Sequence, residues 1–119
     1  MIIAIPSDSD DFEKADIAQH FGRCYYYILL DSEGNHVKTI RNTSEHMGGK
    51  GLPPELLKEN EVDILICREM GPRAVNLCKE LGIKPFICSS DNVKDAFREW
   101  AGGGMKKADP QDSCEVHKQ

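Results

Sequence analysis

The alternation of short apolar runs with amphipathic segments constrains this chain more than any other feature of its sequence. Residues 62–67 and 85–88 are strand-like, and each run is followed by apolar residues at helical spacing, in 72–81 and in 93–101. A strand, a helix and a second parallel strand form a crossover unit that is almost always right-handed. The second half of the chain therefore predicts parallel strands alternating with helices.

The first half of the chain predicts three strands before any long helix. Residues 2–6 are almost all apolar, which is typical of a strand buried on both faces. Residues 24–30 and 37–40 are separated by turn-forming residues and predict a hairpin. Adjacent prolines then predict a helix start within 52–60. Together, the segments predict an α/β fold in which helices cover the faces of a mixed sheet.

Size and composition exclude several classes of function. A chain of 119 residues is long enough for one domain, and its charge of −5 comes with scattered basic residues, so we expect no nucleic-acid partner. No apolar run approaches the roughly 20 residues that span a bilayer, so we expect no membrane partner. With no evident signal peptide and five cysteines, the chain is expected to be cytoplasmic with reduced thiols. We assign residues 1–104 to the domain and 105–119 to a polar, flexible tail.

The residues at the carboxyl ends of the strands are the first candidates for a binding site, because ligands of open α/β sheets bind there. Cys67 ends one predicted strand, and Gly71-Pro72 begins the next helix, where unpaired N–H groups favour an anion. A thiolate at that position is expected to have a lowered pKa and to be a soft metal ligand. Met70 offers a thioether ligand or, alternatively, covers an edge of the core.

Two further segments combine histidine with glycine. His20-Phe21-Gly22-Arg23-Cys24 precedes a strand, and the segment 46–51, His-Met-Gly-Gly-Lys-Gly, precedes a helix. The second is not an ATP-binding loop, because such a loop needs Ser or Thr after its lysine. If the strand that follows His20 runs antiparallel to the first strand, its start lies at the same edge as the carboxyl ends of its neighbours. The sequence therefore predicts that His20, His46 and Cys67 share one edge of the sheet.

These motifs resemble those of the dinitrogenase iron-molybdenum cofactor biosynthesis family over roughly residues 1–103. The resemblance rests on Ala-Ile-Pro in the first strand, His-Phe-Gly-Arg at 20–23, Gly-Gly-Lys-Gly at 48–51 and Gly-Pro-Arg-Ala at 71–74. It implies a three-layer α/β/α, ribonuclease H-like fold with a mixed five-stranded sheet. It also implies a cluster site with the metal ligands His20, His46 and Cys67 and the cofactor-binding residues Arg23, Gly48, Gly49, Gly51, Met70 and Gly71.

The resemblance implies a NifX-like function, which is the non-catalytic binding or carrying of an iron-sulfur or molybdenum-containing cluster between donor and acceptor proteins. Two alternatives remain open at this point. The first is a metal-dependent nuclease that uses Asp8 with a second carboxylate, such as Asp10, Asp63 or Glu69. The second is a regulatory module that binds a small organic anion at the helix start after Gly71. A Cys-x-x-His pair at 114–117 is a weak zinc signal, since a closed zinc site needs four ligands.

Overall fold

The computed structural model of the chain describes residues 1–44, 51–103 and 105–108. Within these residues six strands and three helices follow one another along the chain. They are β1 (Ile3–Ser7), β2 (Tyr26–Leu30), β3 (His36–Arg41), α1 (Pro53–Glu59), β4 (Ile64–Cys67), α2 (Pro72–Glu80), β5 (Lys84–Ile87), α3 (Val93–Ala101) and β6 (Lys106–Lys107). No helix in this part of the chain is long and apolar enough to cross a membrane.

All the strands belong to one mixed sheet with the order β3-β2-β1-β4-β5-β6. β1 pairs antiparallel with β2 and parallel with β4, and β4 pairs parallel with β5. β2 and β3 form the predicted antiparallel hairpin. The mixed α/β sheet expected from the sequence is therefore confirmed, and β1 lies where its antiparallel and parallel parts meet.

The prediction of five strands is wrong, because the sheet has a sixth. Lys106 and Lys107 form a short edge strand that pairs antiparallel with β5, and the next residue, Ala108, is buried and donates its N–H to the carbonyl of Pro85. Two lysines carry no apolar periodicity, although charged residues are common on edge strands. The first residues assigned to the tail thus belong to the sheet, while the likeness to ribonuclease H stays a prediction.

Alternation along the strands divides the core between the two faces of the sheet. Ala4 and its neighbours on one face pack with Leu57 of α1 and with Val75 of α2. Ile3, Ile5 and their neighbours on the other face pack with Val93 and Ala96 of α3. Helices therefore cover both faces, which gives three layers.

Local sequence explains where the helices begin. α1 and α2 each begin with proline, whose missing N–H costs nothing in a first turn. α3 begins after Asn92, whose side-chain oxygen accepts a hydrogen bond from the N–H of Asp95 over 2.8 Å. α2 begins after Gly71, and no side chain caps this helix start.

Candidate functional site

The carboxyl edge of the sheet gathers the segments that the sequence singled out. Ser7, at the end of β1, is opposite Tyr26, at the start of β2, so the connection between them lies at this edge. β4 runs parallel to β1 and ends here at Cys67. The condition set for the strand after His20 is met, because β2 runs antiparallel to β1. His20 and the turn after Cys67 therefore meet at one edge.

Glu69 joins the histidine loop, residues 19–24, to the turn between β4 and α2. Its carboxylate lies 3.2 Å from Nδ1 of His20 and accepts a 2.6 Å hydrogen bond from the side-chain amide of Gln19. Its backbone carbonyl also accepts a hydrogen bond from the N–H of Phe21 over 3.3 Å. From the sequence, Glu69 was a candidate only as a nuclease carboxylate, and its joining role was not indicated because the contacts span about fifty residues.

The side chain of His20 is 60% exposed. Glu69 contacts its Nδ1, and Nε2 has no partner among the described residues. A neutral imidazole with an exposed ring nitrogen is the commonest metal ligand in proteins. His20 is therefore placed as a ligand needs to be, at the surface and oriented by a carboxylate. Arg23 is exposed on the same loop.

The buried side chain of Asn42 holds the histidine loop in shape. Its side-chain N–H₂ group donates hydrogen bonds to the carbonyls of Gly22 (3.0 Å) and Cys24 (2.8 Å), and its side-chain oxygen accepts one from the N–H of Ser44. Gly22 is buried with φ +94°, a conformation that favours glycine. Asn42 was not predicted from the sequence, where its only signal is an asparagine immediately after the strand β3.

A cleft of about 680 Å³ opens between α1 and α2 beside the histidine loop. Its walls are mainly apolar, with the guanidinium group of Arg73 at the start of α2 and the carboxylate of Glu80 at the end of that helix. The lining residues are Phe21, Leu52, Pro53, Pro54, Gly71, Arg73, Ala74, Asn76, Leu77 and Glu80. Among the predicted site residues, Gly71 lines the cleft and the exposed Gly51 directly precedes its wall. His46, Gly48 and Gly49 lie outside the described residues.

The start of α2 favours negative charge in this cleft. Gly71 is the N-cap, and the first N–H groups of a helix have no partner inside the helix. The helix dipole adds a partial positive charge at this end, and Arg73 lies in the first turn. An anion in the cleft therefore meets backbone donors and a guanidinium group.

Cys67 does not have the environment that the sequence predicted. Its side chain is fully buried in the core beneath α1 and α2, and burial raises the pKa of its thiol well above the usual value, with a further contribution from the neighbouring thiols of Cys88, Cys78 and Cys24. The predicted lowering of its pKa is wrong, because desolvation disfavours the thiolate more than a nearby helix start can favour it. Met70 is buried in the same core cluster, as its alternative interpretation held.

The other cysteines in the described part of the chain are also buried and free of disulfides. Burial raises the pKa of Cys24 and Cys88 to about 11 and that of Cys78 to about 12. Across the described residues, no three His, Cys, Asp or Glu side chains are grouped so that they could hold one metal ion. This part of the site therefore lacks the thiolate set on which an iron-sulfur cluster is usually built.

Asp8 and Asp63, one of the carboxylate pairs of the nuclease alternative, lie far apart. Asp63 accepts a hydrogen bond from the N–H of Ile2 at the start of β1, whereas Asp8 directly follows the end of that strand. At about 3.3 Å per residue, their backbones are roughly 20 Å apart, and two-metal hydrolysis needs carboxylates around ions about 4 Å apart. The arrangement does not favour a nuclease.

Comparison with known proteins agrees with the resemblance that the sequence motifs show. The family model described as "Dinitrogenase iron-molybdenum cofactor" matches residues 1–103. An uncharacterised protein of Methanocaldococcus jannaschii is 28% identical over 112 residues, which cover 90% of this chain and 91% of that protein.

Solved structures match over most of their length. A Thermotoga protein described as a candidate NifB protein is 25% identical with a TM-score of 0.72, and the match covers 89% of this chain and 91% of that one. The apo orange protein of Desulfovibrio gigas has a TM-score of 0.78 at 18% identity, covering 90% and 92%, and at that identity it supports the fold alone.

Proposed function

The chain belongs to the dinitrogenase iron-molybdenum cofactor family, and from that membership we propose that it is a cytoplasmic, non-catalytic carrier of an iron-sulfur or molybdenum-containing cluster. The cluster, or its precursor, is the cargo that the protein receives from a donor protein and passes to an acceptor. The proposed site is the carboxyl edge of the sheet, at the cleft between α1 and α2.

One observation carries the proposal above the others. The histidine loop and the β4–α2 turn, about fifty residues apart in sequence, are joined through Glu69 beside a cleft that begins at an uncapped helix start. Metal-sulfur clusters are commonly anionic, and this edge presents Arg23, Arg73 and free backbone donors. The exposed imidazole of His20 adds one ligand for a metal at the rim of the cluster.

The same site suits a preassembled cluster better than assembly in place. Building an iron-sulfur cluster on the protein requires several thiolates, whereas the four cysteines of the described region are buried with raised pKa values. Charge, hydrogen bonds and a single imidazole hold an existing cluster reversibly, which is what a carrier needs. Ligation by Cys67 stays a prediction, and it requires the core beneath α1 and α2 to open.

The proposal is tested by loading the protein without oxygen. Purified protein is incubated with tetrathiomolybdate and, separately, with a preformed iron-sulfur cluster held by small thiols, then desalted and assayed for metal content and absorption. We expect metal to remain bound, and we expect His20→Ala and Arg23→Ala to weaken retention, the latter by about fivefold for a contribution of about 1 kcal/mol. Lys38→Ala removes an exposed charge from β3 and is the matched control.

Two results would overturn the proposal. Protein that retains neither probe, yet binds a small organic acid at the start of α2, would support the regulatory alternative. Cleavage of labelled nucleic acid with magnesium or manganese, abolished in Asp8→Asn, would support the nuclease.

A further inference from the structure

The carboxylate of Glu69 contacts two neighbouring residues of the histidine loop through different oxygens. Oε1 lies 3.2 Å from Nδ1 of His20, and Oε2 accepts a 2.6 Å hydrogen bond from Nε2 of Gln19. A ring nitrogen that lacks a proton presents its lone pair to the ionised carboxylate and is repelled at this distance, so the contact favours a proton on Nδ1 of His20. In a neutral imidazole the lone pair is then on Nε2, the nitrogen without a partner among the described residues.

We infer that Glu69 is a positioning residue that fixes the Nδ1–H tautomer of His20 and makes Nε2 the atom that ligates the metal of the cargo. This inference rests on the proposed function and names the ligating atom and its support. Histidines that bind metals commonly donate their other N–H to a carboxylate, which orients the ring and raises its basicity. The same arrangement is present here: the carboxylate of Glu69 comes from the β4–α2 turn, and the ring of His20, with Nε2 exposed, comes from the histidine loop.

Gln19 separates this role from simple anchoring of the loop. Its hydrogen bond to Glu69 ties the loop to the turn but does not involve the imidazole. The backbone hydrogen bond from the N–H of Phe21 to the carbonyl of Glu69 does not involve the Glu69 side chain, so we expect it to remain in Glu69→Ala and Glu69→Gln. Gln19→Ala therefore removes a tether on the same carboxylate while the contact to His20 remains.

The first measurement uses the metal-free protein and does not depend on any cluster. Long-range ¹H–¹⁵N correlation spectra of the imidazoles, at a pH where they are neutral, report which nitrogen of His20 carries the proton. We expect Nδ1–H in the wild type, in Gln19→Ala and in Glu69→Gln, whose amide oxygen still accepts. Glu69→Ala is expected to shift His20 toward Nε2–H. A wild type with the proton on Nε2 would overturn the inference.

The second measurement uses protein loaded anaerobically with a preformed iron-sulfur cluster that is supplied in solution on small thiols. We expect Glu69→Ala to weaken cluster retention by about 10- to 100-fold, the usual effect of removing such a support, and Gln19→Ala by less than about threefold. Glu69→Gln keeps the acceptor without its charge and should lie between them. Pulsed electron paramagnetic resonance of the reduced cluster should show nitrogen coupling that His20→Ala abolishes.

The outcomes distinguish this inference from the proposed function. Equal losses in Glu69→Ala and Gln19→Ala would show that Glu69 only tethers the loop, and would overturn the inference alone. The same follows if His20→Ala retains the cluster as well as the wild type does. A wild type with the expected tautomer that takes up neither iron-sulfur nor thiomolybdate would instead overturn the proposed function.

Discussion

The turn of the β2–β3 hairpin and the histidine loop are both short, polar and glycine-containing, but they are held in different ways. In the hairpin turn, the carboxylate of Asp31 accepts hydrogen bonds from the N–H groups of Glu33 and Asn35, and the N–H of Gly34 bonds back to the carbonyl of Asp31. All of these partners lie within four residues. The histidine loop depends instead on Asn42 and Glu69, about 20 and 50 residues away.

The difference indicates where a ligand can bind. A turn that closes on itself uses its polar groups locally. The hairpin turn uses its polar groups in this way and packs against α3 through Gly34 and Phe97. A loop that is shaped by distant residues can leave an imidazole and a guanidinium group facing solvent, as His20 and Arg23 do. Five predictions test how the histidine loop, the hairpin turn and the edge of the sheet are supported.

The largest effect is expected from Asn42→Ala. The substitution leaves the carbonyls of Gly22 and Cys24 and the N–H of Ser44 without their partner in a buried setting, which should cost about 2 to 4 kcal/mol of unfolding free energy. Asn35→Ala in the hairpin removes only an exposed 3.3 Å side-chain contact to Asp31, so we expect under about 0.5 kcal/mol. Urea denaturation measures both, and equal effects would contradict the contrast.

Gly34→Ala should cost about 2 to 3 kcal/mol. Gly34 has φ +89°, and an added Cβ would lie 2.7 Å from the Cε2 atom of Phe97, so the change combines backbone strain with overlap. Gly82 has φ +81° with nothing within 4 Å, so Gly82→Ala isolates the strain at about 1 kcal/mol. Thermal and urea unfolding of the pair give the difference. If Gly34→Ala costs no more than its control, the hairpin turn does not depend on packing against α3.

Alkali should destabilise the protein through Cys24 of the histidine loop, and acid should destabilise it through Asp31 of the hairpin turn. Burial raises the pKa of Cys24 from 9.0 to about 11, so the unfolded chain loses this proton first. The associated stability is fully present below pH 9 and is lost as the pH rises toward 11, by up to about 2 to 3 kcal/mol. Cys24→Ala should flatten this alkaline limb in urea denaturation at pH 7 to 10.5. An unchanged limb would show that other groups cause it.

Asp31 in the hairpin turn should act at the other end of the pH range. Hydrogen bonds from the N–H groups of Asn35 and Glu33 hold the pKa of its carboxyl below the usual 3.8. Its contribution to stability is therefore present above about pH 4 and is lost as the pH falls through the lowered pKa. Asp31→Asn should reduce the acid sensitivity and leave the alkaline limb unchanged.

The smallest effect is expected from truncation after Ala108. This change removes residues 109–119 and keeps β6 with the buried Ala108, so unfolding free energy should fall by less than about 0.5 kcal/mol. Truncation after Gly103 also removes the pairing with β5 and should cost more. If the shorter deletion alone costs about 2 kcal/mol, residues beyond Ala108 support the fold.

Most of the fold was predictable because its causes are local. The continuous apolar run of β1, the prolines that begin α1 and α2, and the cap at Asn92 each act within a few residues. β6 was missed because two lysines become a strand only when β5 offers its unpaired edge. The meeting of His20 with the turn after Cys67 was also predictable, since it follows from strand direction alone.

The details of the site were less predictable, since burial depends on what packs above a residue. Cys67 ends its strand where the sequence places it, but α1 and α2 cover it, and its raised pKa is the reverse of the prediction. Nothing within a few residues of Cys67 reveals this, because the covering side chains come from other parts of the chain.

The sequence by itself determined the order of the elements from β1 to α3 and the segments that carry polar side chains at the ends of strands, because periodicity, capping and turn chemistry act over short stretches of chain. Only the tertiary structure decided which of those side chains remain exposed and what orients them. Glu69 contacts His20, and Asn42 donates a hydrogen bond to the carbonyl of Gly22, because sheet pairing brings distant segments within about 3 Å of one another. Desolvation of the cysteines likewise depends on the assembled core rather than on neighbouring residues.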